Sequence, residues 1–294
     1  MKIAYTSWAP KGSSLEVVAA ANVIIREFAQ QDLKLTLRQL FYQFVSRDWL
    51  PNTPKQYSRL GKIVIKGRLA GLIDWDAIED RTRNLKKLPH WRDPGHAVGT
   101  LANYYGISKW ETQDNYVEVW VEKEALAGVF QPVCDELDVP FFACRGYVSQ
   151  SEMWAAAQRF ESHASKNLCL LHFGDHDPSG IDMTRDIAER LHTFHAHVQV
   201  DRVALTIEQV QQYEPPPNPA KQNDSRFESY YKEFGDESWE LDAINPSILQ
   251  RLIRSEVDEL TDDDAWNEAL LKQELHLEQL TQLSNNWADV QALL

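Results

Sequence analysis

Residues 168–181 constrain this chain more than any other stretch. An apolar run of strand length ends at Gly174, the carboxylates Asp175 and Asp177 follow two residues apart, and Pro178, Ser179 and Gly180 turn the chain toward a helix. Acids at that spacing point the same way only on extended backbone, as at the end of a buried strand. Ligands of an open α/β sheet sit at the carboxyl ends of its strands. The pair is therefore placed to bind a hard cation, which takes oxygen ligands and keeps waters or phosphate oxygens in the rest of its shell.

The surrounding rhythm supplies the sheet. Strands are predicted at 116–121, 140–144, 168–173 and 198–205, alternating with helices at 125–137, 151–162 and 180–191. Short connections between alternating strands and helices imply a mainly parallel sheet covered on both faces, an α/β fold. After Thr206 the order fades: Pro215, Pro216, Pro217, Asn218 and Pro219 read as an extended loop, and the polar stretch to Glu237 reads as irregular. Ile248, Leu249, Leu252 and Ile253 then form an apolar helical face, and a last helix runs from about Asp264 into the 280s. The acids between Glu256 and Asp264 read as a solvated helix junction.

The first third is helical. Ser13 with Glu16 is a capping-box pattern opening a helix over 13–31; Thr36 with Gln39 is a second; Thr53, Pro54 and Gln56 open a third helix over 55–69. Lys55, Arg59, Lys62 and Lys66 share one face of that third helix. The extended-looking 73–78 follows, and then a second basic set, Arg81, Arg83, Lys86, Lys87 and Arg92. Three helices and a wing predict a winged-helix-like unit, a fold that lays one helix in the major groove of double-stranded DNA. The net charge of the chain is -14, yet residues 34–92 hold thirteen Lys and Arg against five Asp and Glu. One face, not the whole surface, is thus suited to a polyanion. A polar linker over 109–115 separates a winged-helix-like domain, 1–108, from a sheet domain with a C-terminal helical extension, 116–294. No apolar run reaches membrane-spanning length and no leader pattern opens the chain, so a cytoplasmic protein without a membrane partner is expected. Cys134, Cys144 and Cys169 are expected to be buried free thiols.

Glu122 ends the first sheet strand as Asp175 and Asp177 end the third, and strand ends on one edge of a parallel sheet are neighbours. Three converging carboxylates repel unless a divalent ion neutralises them, so magnesium is the expected cofactor, with room for two ions. Lys123 is placed either to meet a phosphate or to pair with Glu124.

These residues resemble a known family. The Glu122 strand, the D-x-D of Asp175 and Asp177 and the Arg145-Gly146-Tyr147 that follows an intervening strand look like a Toprim domain, and more narrowly like the A subunit of topoisomerase VI and the related transesterase that makes meiotic double-strand breaks. Thr36-Leu37-Arg38-Gln39-Leu40-Phe41-Tyr42 fits the T-x-R-x-[apolar]-[F/Y]-Y pattern of that family's winged-helix domain position by position. The family's Gly-Tyr-Pro-Asp loop and following Thr-Arg are Gly146, Tyr147, Val148, Ser149, Gln150 and Ser151 here, without the loop arginine. The resemblance implies a Toprim domain behind a winged helix. It also implies attack by Tyr42, activated near Arg38, on a DNA phosphorus, with magnesium on Glu122, Asp175 and Asp177 and with Lys123 beside them. It further implies a homodimer and a separate GHKL-type ATPase subunit.

Blander roles stand beside these. Tyr42 also reads as a core or interface tyrosine, the acids as ion-pair partners of Lys123 or Arg185, His176 as a solvated turn histidine, and Trp120 and Trp154 as core. Three functions follow: a tyrosine transesterase, a Toprim nuclease in which metal-activated water attacks, and a DNA-binding subunit without catalysis.

Overall fold

The computed structural model describes residues 1–31, 33–78, 88 and 90–293. Its first helix, α1 (Ser13–Ala29), starts differently from the sequence pattern. Gly12, with φ 52°, is the cap, and Ser13 is already helical, so the Ser13–Glu16 box does not form. The Ser13 hydroxyl accepts instead from Arg59 at 2.8 Å. Helix α2 (Leu37–Val45) carries the full Thr36–Gln39 box, and α3 (Pro54–Leu69) has Thr53 as its cap with Pro at the first turn. Ile24, Phe28, Leu40, Phe44, Leu60 and Val64 form the core these three helices share.

The expected wing is absent among the described residues. Residues 73–78 form turns, and the only β pairing here is isolated: Leu35 with Ile78 and Ala4 with Ala70. The reason lies in where this segment finds its partners. Arg68 donates to the Trp75 carbonyl at 2.6 Å and sits over the Trp75 ring, whose Nε1 donates to the Ile3 carbonyl. Ile73 packs so closely on Gly67 that a Cβ there would lie 2.8 Å from its Cδ1. The Trp75 N–H bonds the Met1 carbonyl at 2.9 Å and the Ile73 N–H the Gly67 carbonyl at 3.2 Å, so backbone groups that a hairpin would pair are spent on the N-terminal residues and α3. Arg81, Arg83, Lys86 and Lys87 lie outside the described residues.

Helix α4 (Pro94–Ala102) is followed by β1 (Asn115–Val121), α5 (Ala127–Glu136), β2 (Phe141–Ala143), α6 (Gln150–Glu161), β3 (Asn167–Phe173), α7 (Pro178–Thr193) and β4 (Gln199–Ala204). The four strands are all parallel in the order β2-β1-β3-β4. Central strands buried on both faces need apolar side chains in both directions. Val117, Val119 and Val121 of β1 join Leu171 and Phe173 on one face, beneath α5 and the later α10 (Pro246–Glu259). Trp120 and Leu170 face the other way, onto Met153, Phe160, Met183 and Ile187 of α6 and α7. Trp120 is core as expected, but Trp154 is 55% exposed. All three cysteines are free and buried.

Beyond Thr206 the chain is more ordered than the sequence suggested. It contains α8 (Ile207–Tyr213), started by a Thr206–Gln209 capping box, and α9 (Phe227–Phe234). Asn218–Pro219 pairs antiparallel with Glu237–Ser238. The long α11 (Asp263–Asn285), capped by Asp262, and the short α12 (Trp287–Gln291) close the chain, and α4 packs along α11. No described helix is long and apolar enough to cross a membrane.

Candidate functional site

Register decides what meets at the sheet edge. Val121 lies opposite Phe173, and the ladder continues one step further through Glu122 N–H to the Phe173 carbonyl at 2.8 Å. Glu122 and the Gly174–Asp177 turn are therefore side by side. The Glu122 Oε2 accepts the Asp175 N–H at 2.8 Å. Asp177 caps α7, its Oδ1 accepting from Gly180 N–H at 2.6 Å and from the Ser179 hydroxyl at 2.7 Å. Gly180 must be small, because a Cβ there would lie 2.2 Å from the Asp175 carbonyl oxygen and 3.1 Å from Glu122 Oε2. Arg202 of β4 holds the turn from behind, donating to the Asp175 carbonyl at 2.6 Å and the Gly180 carbonyl at 2.8 Å. Burial lowers its guanidinium to about 10.

Lys123 pairs with neither Glu124 nor an open space. Its Nζ contacts Asp175 Oδ2 at 2.8 Å, Glu240 Oε2 at 2.9 Å and Asp242 Oδ1 at 2.9 Å, whereas Glu124 pairs with Arg145. Burial works against this ammonium, but Asp242, Asp175 and Glu240 outweigh it and hold Lys123 above its ordinary value. Asp175 is fully engaged, since its Oδ1 accepts the Leu241 N–H at 2.8 Å. Burial nonetheless lifts it to about 7 against the pull of Lys123. Burial also raises Asp242, while at Glu240 the cations Lys123 and Arg38 overcome burial and draw the carboxyl down to about 2. Glu240 and Asp242 were missed in the sequence. Their signal was a second acid-x-acid spacing, next to Trp239, which pairs through its backbone with His176.

Tyr42 and Arg38 reach this same cluster within one chain. Arg38 Nε contacts Asp242 Oδ2 at 2.9 Å, its Nη2 pairs with Glu240, and the Tyr42 hydroxyl lies 3.5 Å from Nη2. Tyr42 is only 4% exposed, and burial, reinforced by Asp242 and Glu240, pushes its phenol above the ordinary tyrosine value despite Arg38. A cavity of about 250 Å³ opens beside it, lined in part by Phe41, Asn52, Tyr57 and Asn218.

The remaining residues divide clearly. Lys55, Lys62 and Lys66 are exposed along α3 with Arg59 half-buried on the same face, so the basic stripe exists as a surface. His176 is not a solvated turn residue: it is buried, its Nδ1 meets the Tyr230 hydroxyl at 2.8 Å, and burial lowers it to about 4. Arg185 pairs with Asp182 and Glu189, not with the site acids. At the loop without its own arginine, Tyr147 meets Asp182 at 2.6 Å, and Arg226 from the start of α9 packs over the Tyr147 ring.

Among the described residues no group of three or more His, Cys, Asp or Glu is arranged as a metal cage. The donor set fits an ion held more openly. Burial raises the Glu122 carboxyl and the nearby Asp177 adds to that rise, against Lys123 and Arg202. Among the described residues, the cation that Asp177 Oδ2 meets is the exposed Lys221, at 3.7 Å. Five acids, Glu122, Asp175, Asp177, Glu240 and Asp242, face the three buried or half-buried cations Lys123, Arg38 and Arg202, and burial raises Glu122, Asp175 and Asp242. One or two carboxylates with waters and phosphate oxygens are the usual shell of magnesium. Asp175 is held by Lys123 and serves to anchor the 239–242 loop. In comparisons with known proteins, no family model matches the chain and no curated protein matches it.

Proposed function

We propose that this chain is a magnesium-dependent DNA-cleaving protein of the Toprim kind, which breaks a strand by phosphoryl transfer at the ends of β1 and β3. The observation that carries this reading is the meeting of Glu122 with Asp175 and Asp177 across adjacent parallel strands. Burial and Asp177 disfavour the charged form of Glu122, and a cation would reverse that. A bound magnesium ion would supply charge neutralisation at a phosphate and a more acidic water. Glu122 and Asp177 would hold it, Asp175 and Arg202 would keep the turn rigid, and the exposed lysines of α3 would meet neighbouring phosphates of double-stranded DNA.

Water is favoured as the nucleophile by the state of Tyr42. A phenol is already a poor nucleophile near its ordinary pKa of about 10, and burial with Asp242 and Glu240 moves this one further from the phenolate. Arg38, the group that would activate it, is occupied by the same two acids. Attack by Tyr42 stays as a second reading because the Arg38–Tyr42 pair and its cavity adjoin the acid cluster in one chain. A homodimer and a partner ATPase belong to that second reading.

The test is cleavage of a supercoiled plasmid with magnesium, stopped with denaturant and run with and without protease. Hydrolysis gives free ends, survives Tyr42→Phe and is lost in Asp177→Ala, with binding of DNA retained. Protein linked covalently to the ends, absent in Tyr42→Phe, would replace it by the transesterase reading. Binding without any cleavage would reject both.

A further inference from the structure

The cavity beside Tyr42 has a chemistry of its own. At about 250 Å³ it is smaller than the roughly 300–1,000 Å³ pockets that take drug-sized ligands, so it suits a single ring system. Phe41 and Tyr57 supply aromatic surface, with ring centroids 5.4 Å apart and edge to face. Tyr57 is 36% exposed, so one ring is open to a ligand. The polar lining holds two acceptors beside the Arg38 guanidinium, which is taken up by Glu240 and Asp242. Asn52 Nδ2 donates to Asn218 Oδ1 at 2.8 Å, which orients the amide and leaves Asn52 Oδ1 to accept. Glu240 Oε1 accepts from Asn218 at 3.5 Å and its other oxygen takes Lys123 and Arg38, while the Tyr42 hydroxyl also bonds this carboxylate. Glu240 and Arg38 are paired at this wall, so their charges offset each other there. Stacking surface beside two acceptors matches a base edge that carries an amino group, as carboxylates and amides read such edges.

The approach also fits. Thr53 and Pro54 line the cavity, and the next residue, Lys55, begins the exposed basic stripe that continues through Lys62 and Lys66. A strand whose phosphates follow that stripe brings a base to the cavity mouth. We propose that this cavity receives one unpaired, amino-bearing base of a DNA strand lying along α3. The proposal rests on the reading of the chain as a DNA-binding protein. Stacking of one base on an aromatic side chain is worth about 1–3 kcal/mol, or roughly five- to a hundredfold in affinity.

The test compares binding of a fully paired duplex with the same duplex carrying one bulged cytosine or one bulged thymine. The bulged cytosine should bind at least fivefold more tightly than either control, and the ratio should fall to about one in Tyr57→Ala and in Asn52→Ala. Equal affinities in the wild type, or a ratio kept in both variants, would overturn the proposal while leaving DNA binding intact. Loss of binding to every duplex would remove the DNA reading and this inference with it. Free cytidine that binds without DNA and erases the cytosine preference would also overturn it, by making the cavity a nucleoside site.

Discussion

The His172 side chain is fully enclosed at the end of β3, with Nδ1 2.8 Å from the Thr184 hydroxyl, and burial with Arg202 nearby lowers the imidazole to about 3. In the unfolded chain a histidine titrates near 6.5. Between these values the unfolded chain binds a proton that the folded chain refuses. Stability is therefore complete above about pH 6.5 and declines as pH falls toward 3, by up to about 1.4 kcal/mol per pH unit. His176, lowered to about 4 by burial, adds a decline of the same sign. Urea unfolding at pH 7, 6 and 5 should show a steep loss for the wild type and a shallower one for His172→Asn, whatever that variant loses at pH 7. Equal slopes would assign the acid sensitivity elsewhere. Both histidines were visible in the sequence, but their burial was not, because it depends on Tyr230, Thr184 and Arg202 brought from other elements. The positions of Glu122, Asp175 and Asp177 were legible because strand ends carry local signals. The partners of Lys123 were not, since Glu240 and Asp242 lie more than a hundred residues away in the chain.

Helix α3 was legible almost to the residue, because its start is marked by Thr53 and Pro54 and its apolar face recurs at Leu60, Ile63 and Val64. Among the described residues the wing does not form, because 73–78 make only the isolated bridge of Ile78 to Leu35 and otherwise bond to Arg68 and Ile3. Helix α8 was overlooked although its Thr206–Gln209 box is the same signal that located α2. The exposed stripe on α3 sets a prediction at this scale. Lys62→Glu with Lys66→Glu should leave folding unchanged, since both side chains are exposed. Two lost phosphate contacts should weaken DNA binding and reduce the slope of log affinity against log salt by about 2. A titration series at rising salt checks this; an unchanged slope would move the DNA to another surface.

The parallel sheet with helices on both faces followed from the alternation of strands and helices, and each strand the sequence predicted is present. What periodicity does not encode is how the helical third joins the sheet, and here that joint is electrostatic. Arg38 of α2 and Lys123 at the end of β1 both close on Asp242, at 2.9 Å each, and both pair with Glu240. Asp242 is fully buried, so removing it leaves one buried and one half-exposed cation without their shared counter-charge. Breaking a buried pair from one side costs about 3–5 kcal/mol, and Arg38 can relieve part of this by turning to solvent, which places Asp242→Ala near the lower end. Lys123→Met alone leaves Asp242 with Arg38 and should cost less. In the double variant the stranded ammonium is gone, so its loss should be smaller than the two single losses added. Urea unfolding of the four proteins completes this cycle. Strictly additive losses would mean that Lys123 and Asp242 do not act on each other.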